Sequence, residues 1–218
     1  MTKKNSNFHW VYFDLDGTLA DCISESYKAH INFLNQFGAM GGKAEFEELN
    51  GLSLSETIAI LKKRYYLPDT EEDLTALYRG RLLIAYNNSI QPCEGASDTL
   101  EELINRKYNL AIVTSADQEI GMGFIEKQNL GEHFQIFVFG DEVEKAKPNP
   151  EIYRLALKKT NASAQNVAVV EDSYNGVKSA KATGAFVIGV ANNQSKEDLI
   201  KAGADTTILK LSEILQIL

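Results

Sequence analysis

The sequence predicts an α/β fold, a Rossmann-like and mostly parallel sheet core into which an all-helical domain is inserted. Three observations predict it. Six short apolar runs recur along the chain without polar alternation, the pattern of strands buried on both faces. Stretches of helical period separate the later runs, which is the rhythm of βαβ units. One interval, residues 21–91, breaks that rhythm and shows helical patterns with no strand among them.

The polar start, residues 1–7, reads as a short flexible tail. Trp10-Val11-Tyr12-Phe13 is the first strand. Tyr27, Ile31, Leu34 and Phe37 then share a helical face, stopped by Gly38 and the pair Gly41-Gly42. Ser55 opens a second helix through Glu56–Leu61 that ends before Pro68. Thr70 with Asp73 resembles a capping box for a third helix carrying Leu74, Leu77, Leu82 and Leu83. The expected organisation is therefore an α/β core from residues 1–20 and 92–218, with residues 21–91 as a helical cap. Its position directly after the first strand makes it a lid over whatever that strand presents.

Past the insertion, Leu100, Leu103 and Ile104 mark a helix before the second strand, Leu110–Val113. Ile120, Phe124 and Gln128 mark the next helix, followed by a strand at Ile136–Phe139. Ile152, Leu155 and Ala156 precede the strand Val167–Val170, and Val177, Ala180 and Lys181 precede Phe186–Val190. A weaker run at Thr206–Leu209 closes the series.

Composition narrows the function. A formal net charge of −8 argues against a nucleic-acid partner, which calls for a basic face. No apolar run reaches the roughly 18–20 residues of a membrane span, and the start lacks the long apolar stretch of a secretory signal. Cys22 and Cys93 have no metal-type spacing and read as reduced, inert thiols. A cytoplasmic protein is expected, and nothing in the sequence sets its oligomeric state.

In an open α/β sheet, ligands bind beyond the carboxyl ends of the strands. Those ends carry Asp14 and Asp16, then Thr114 and Ser115, then Glu171 and Asp172, while Lys145 and Lys147 follow the third strand. Clustered carboxylates repel one another and any phosphate, and a hard divalent cation with oxygen ligands resolves both problems, as Mg²⁺ would. Lys147 adds positive charge. Thr114 or Ser115, with the N–H groups opening the next helix, would hold phosphate oxygens. An aspartate would then attack phosphorus and split hydrolysis into two easier steps.

These motifs carry a resemblance. Asp14-Leu15-Asp16-Gly17-Thr18, Thr114-Ser115, Lys147-Pro148-Asn149-Pro150 and Glu171-Asp172-Ser173 occur in the order of the haloacid dehalogenase-like superfamily. The chain is similar to the phosphatase and phosphomutase branch with a helical cap, from about Phe8 onward. The resemblance implies Asp14 as nucleophile and Asp16 as general acid and base. It implies Mg²⁺ held by Asp14, the Asp16 carbonyl, Asp172 and, as a further candidate, Glu171. An acid at position 16 separates the chain from true dehalogenases. Ala146 stands before Lys147 where the family has glycine, and Lys145 is the less favoured lysine.

The resemblance also frames the substrate, a small phosphorylated metabolite. Gly51-Leu52-Ser53 matches the family's specificity loop, with Gly51 and Ser53 as candidate substrate contacts. The β-phosphoglucomutase-like relatives have a histidine twelve residues after the nucleophile, where this chain has Ser26, and an arginine where it has Leu54. Water is therefore the expected acceptor, in a phosphatase acting on a sugar phosphate or a phosphoglycolate-type monoester. The alternatives are a sugar phosphomutase and a phosphate-binding regulatory protein without turnover; a phosphonatase is less favoured, because this chain shows no cap lysine positioned for a Schiff base. His30, Lys62, Lys63, Arg64, Arg79 and Arg81 are expected to be structural or solvated.

Overall fold

The computed structural model describes residues 8–218, so the tail expected at residues 1–7 lies outside the described residues. Strand β1 (Trp10–Phe13) comes first, followed by helices α1 (Ile23–Gln36), α2 (Lys43–Leu49), α3 (Leu54–Tyr65) and α4 (Glu71–Asn88). The chain continues through α5 (Ala96–Asn105), β2 (Asn109–Val113), α6 (Gln118–Lys127), β3 (Ile136–Val138) and α7 (Glu151–Thr160). It ends with β4 (Val167–Glu171), α8 (Tyr174–Lys181), β5 (Phe186–Val190), α9 (Lys196–Ala202), β6 (Thr206–Ile208) and the short α10 (Ile214–Ile217).

The six strands form one sheet in the order β3-β2-β1-β4-β5-β6, and every pairing is parallel. Both faces are covered. Val11 and Phe13 pack with α5 and α6 residues such as Leu100 and Phe124. Tyr12 points the other way, among Ile152 of α7, Val177 of α8 and Leu199 of α9. Alternate residues thus enter two separate apolar layers, which is why the strand sequences are apolar throughout rather than alternating. Each large side chain so enclosed stabilises the fold by about 1.5–3 kcal/mol relative to exposure.

The inserted helices α1 to α4 have an apolar cluster of their own, built on Phe33, Leu34, Leu49, Ile58, Leu61, Leu74 and Tyr78. Three details differ from expectation. A further helix, α2, forms after Gly42, where the glycine pair reads as a stop. Helix α3 starts at Ser53, not Ser55, because Ser53 and Glu56 form a reciprocal capping box. The buried stripe of α1 is Ala29, His30, Phe33 and Leu34, which leaves Tyr27 and Ile31 on its margin. No helix among the described residues is long and apolar enough to cross a membrane.

Candidate active site

Strand order places the site. β1 lies between β2 and β4, so the connections leave it in opposite directions and a crevice opens at its carboxyl end. The ladder pairs Phe13 with Val170, and the Asp14 N–H donates to the Val170 carbonyl at 3.0 Å. Asp14 and Glu171 are thereby set side by side. Backbone pairing fixes both before any side-chain contact does.

Lys147 reaches this pair from the loop after β3. Its Nζ lies 2.6 Å from Asp14 Oδ1, 2.6 Å from Glu171 Oε1 and 3.2 Å from the Val113 carbonyl. An ammonium has three protons, and all three are placed. Nζ also stands 5.2 Å above the Tyr153 ring, a further favourable contact for a desolvated cation. Burial alone would lower the lysine pKa, but the adjoining carboxylates of Asp14 and Glu171 outweigh it and raise it. Lys147 therefore stays charged.

Glu171 is fully enclosed. Its Oε1 accepts from Lys147 and from the Tyr153 hydroxyl at 2.8 Å, while Oε2 accepts from the Ser173 N–H and hydroxyl at 3.3 and 3.1 Å. Both oxygens are thus already engaged. Asp172 is also buried, and Asn193 Nδ2 donates to its Oδ2 at 3.3 Å. Gly17, with φ of 81°, turns the chain tightly against that carboxylate, where any Cβ would collide.

Burial raises the Asp14 pKa against the pull of Lys147, and burial with the Glu171 charge raises that of Asp172; a cation at the cluster would favour the carboxylate form of both. Asp16 is raised to about 6, by burial first, with the Cys22 thiol hydrogen bond holding it lower. Cys22 Sγ is 3.5 Å from Asp16 Oδ1, and the Tyr86 hydroxyl donates to the same oxygen. Four carboxylates thus converge on one ammonium. Carboxylate oxygens of Asp14, Glu171 and Asp172 lie within 4.8 Å of one another; with those of Glu171 engaged, the oxygens of Asp14 and Asp172 are the donors that fit a hard, oxygen-seeking divalent cation.

A cavity of about 130 Å³ lies between this rim and the insert. Asp14, Asp16, Asp172, Ser115 and Gly51 border it. Thr114 and Ser53 do not. Thr114 is completely buried and its Oγ1 accepts from the Ala116 N–H at 3.1 Å, shaping the loop. Ser53 spends its hydroxyl on the α3 cap, facing Glu56. Ser115 donates instead to the Gly51 carbonyl at 2.7 Å, and Asn175 Nδ2 donates to the Asn50 carbonyl at 3.0 Å. Both bonds tie the insert's loop to the core.

Several site residues have no signal in the strand-end reading. Tyr153, Tyr86, Asn193, Arg79 and Asp117 act through contacts far apart in sequence, and Cys22 through one six residues away. Arg79, expected to be solvated, sets its Nε 2.6 Å from Asp117 Oδ2. His30 is buried against Tyr78 and Glu45, and Arg64 pairs with Glu45 and Glu48 rather than standing free. Cys22 borders the cavity beside Asp16, and burial raises its pKa so that it stays a thiol, in line with the inert reading.

Comparison with known proteins agrees with this architecture. The sequence profile of the haloacid dehalogenase-like hydrolases matches residues 11–190. The chain is 29% identical over 210 residues to the phosphorylated carbohydrates phosphatase of Thermotoga maritima, covering 95% of this chain and 97% of that one. It is 28% identical over 216 residues to pyrophosphatase PpaX of Bacillus pumilus, covering 97% of each. The structure of CbbY from Rhodobacter sphaeroides in complex with phosphate superimposes with a TM-score of 0.84 at 25% identity, covering 95% of this chain and 96% of that one. The chain belongs to the haloacid dehalogenase-like hydrolase family.

Proposed function

We propose that the protein is a Mg²⁺-dependent phosphatase that hydrolyses a small phosphomonoester, of sugar phosphate or phosphoglycolate type, through an aspartyl-phosphate on Asp14. The observation that carries this reading is the Asp14–Lys147 contact of 2.6 Å inside the crevice at the end of β1. Lys147 fixes one carboxylate oxygen and leaves Oδ2 to attack phosphorus. As the new P–O bond forms, the bond to the leaving oxygen breaks and Asp16 supplies that oxygen with a proton. Asp16 then takes a proton from water, the water oxygen attacks phosphorus, and Asp14 is released with inorganic phosphate.

Asp14, Asp172 and the main-chain carbonyl of Asp16 would hold Mg²⁺, whose chemistry is to offset the charge of the acidic cluster and of the transferring group. The enclosed contacts of Glu171 make it the holder of Lys147 within this set. With the Ser115 hydroxyl proton given to the Gly51 carbonyl, its backbone N–H and the loop that Thr114 shapes are the phosphoryl-binding group. Residues 21–91 serve as a cap over the site, with Gly51 at its seam. Ser26 and Leu54 border the cavity where a phosphomutase has a histidine and an arginine. His30 borders it too, but Glu45 and Tyr78 already occupy its two ring nitrogens. Water is therefore the acceptor.

Phosphate release from sugar phosphates, phosphoglycolate and nucleotides, with and without Mg²⁺, tests the reading. Asp14→Asn is expected to lower kcat by about 10³-fold or more. Release that ignores Asp14→Asn would sink it. So would conversion of a sugar 1-phosphate to its 6-phosphate without phosphate release.

A further inference from the structure

The insert's part of the cavity wall has a distinct chemistry. Its polar members are Ser26, His30, Asn50, Thr57, Tyr78 and Tyr86, and among the described residues no lysine or arginine borders the cavity. The cations nearby are already engaged. Lys147 is enclosed behind Asp14 with its three protons placed. Arg79 is paired with Asp117, and Arg64 with Glu45 and Glu48.

A relay sets the polarity of the wall. Burial would raise the Glu45 pKa, but bonds from Arg64, Tyr65 and His30 prevail and lower it, so Glu45 is a carboxylate. Its Oε1 lies 3.1 Å from His30 Nε2, which fixes the imidazole proton on that nitrogen. Burial lowers the His30 pKa despite Glu45, so the ring is neutral near pH 7. Nδ1 is then an acceptor, and it takes the Tyr78 O–H at 3.1 Å. The Tyr78 oxygen is left with lone pairs and no proton to give. Such an oxygen welcomes a hydroxyl and repels an anionic oxygen.

We propose that the group released with the ester oxygen is uncharged and hydroxyl-bearing, so that the substrate is the monophosphate of a sugar or related polyol and the insert selects against a second anionic group. The inference rests on the phosphatase reading above and narrows it. A second phosphate or a carboxylate would enter beside Asp16 and Asp117 with no free cation to meet it, whereas the ring hydroxyls of a sugar find Tyr78, Thr57 and Ser26.

The test measures kcat/KM of the full chain with Mg²⁺ on glucose 6-phosphate, fructose 1,6-bisphosphate, phosphoglycolate, inorganic pyrophosphate and p-nitrophenyl phosphate. Glucose 6-phosphate is expected to exceed the three substrates with a second anionic group by about tenfold or more. Tyr78→Phe is expected to lower the ratio of glucose 6-phosphate to p-nitrophenyl phosphate turnover by about tenfold. Leu54→Arg, which adds a cation to the wall, is expected to shift preference towards the bisphosphate. Pyrophosphate, phosphoglycolate or bisphosphate turned over as well as glucose 6-phosphate, with the aryl ester also cleaved, would overturn this inference alone. No phosphate from any of the five, the aryl ester included, would overturn the phosphatase reading with it.

Discussion

The proposed mechanism asks two opposite proton transfers of Asp16, and its surroundings suit both. Burial raises its pKa to about 6, and Cys22 and Tyr86 hold its Oδ1 in place. Below pH 6 the acid form prevails and can protonate a leaving oxygen; above pH 6 the carboxylate prevails and can take a proton from water. Formation of the aspartyl-phosphate should therefore slow as pH rises through 6, and its hydrolysis should slow as pH falls through 6. The steady-state pH profile should bend near that value. Asp16→Asn should lower kcat by about 10²–10⁴-fold and remove the bend. A bend that persists in Asp16→Asn would assign it to another group. The residue types at the strand ends were legible in the sequence because a sheet delivers whatever follows each strand. Tyr153 was not, since Ile152, Leu155 and Ala156 define the α7 face without it.

At the scale of elements, the insert depends on local chemistry that short motifs encode. Ser53-Leu54-Ser55-Glu56 contains the serine-to-glutamate spacing of a capping box, and the structure closes it in both directions. Ser53→Ala should lower the stability of the insert by about 1 kcal/mol, read as a shift in the denaturant midpoint with an unchanged slope. A silent substitution would show that α3 is held by the packing of Ile58 and Leu61 alone. That motif, which begins two residues before Ser55, engages the Ser53 hydroxyl with Glu56 and away from the cavity. Helix α2 was harder to read. It has only seven residues, and its apolar members Phe46 and Leu49 make one turn of pattern, too little to outweigh two adjacent glycines.

For the whole molecule, the cavity lies at the seam between insert and core. Ser115 bonds to Gly51, Asn175 to Asn50 and Arg79 to Asp117, each across that seam. The ion pair is partly exposed, so its net contribution is about 1 kcal/mol or less. Arg79→Ala should raise KM by up to about fivefold, because closure weakens and the Asp117 charge is left facing the substrate. Arg79→Lys, which keeps the charge and loses the directed Nε contact, should fall between the two. An unchanged KM in both variants would remove this contact from the closure of the site.

The sequence by itself determined the α/β class, the six strands, the helical insertion and the residue types arriving at one rim. Those follow from patterns within single elements: apolar runs, helical period, and the acids, hydroxyls and lysine beside them. Tertiary structure decided which of those residues face the cavity and which hold the others. Lys147 meets Asp14 across 133 residues of chain, and Tyr78 meets His30 across 48. The order of β2, β1 and β4 and the packing of α1 against α4 create those meetings. No periodicity within one segment contains them, so Thr114 turned inward, Glu171 was taken up by Lys147 and Tyr153, and the polarity of the substrate wall became visible only in three dimensions.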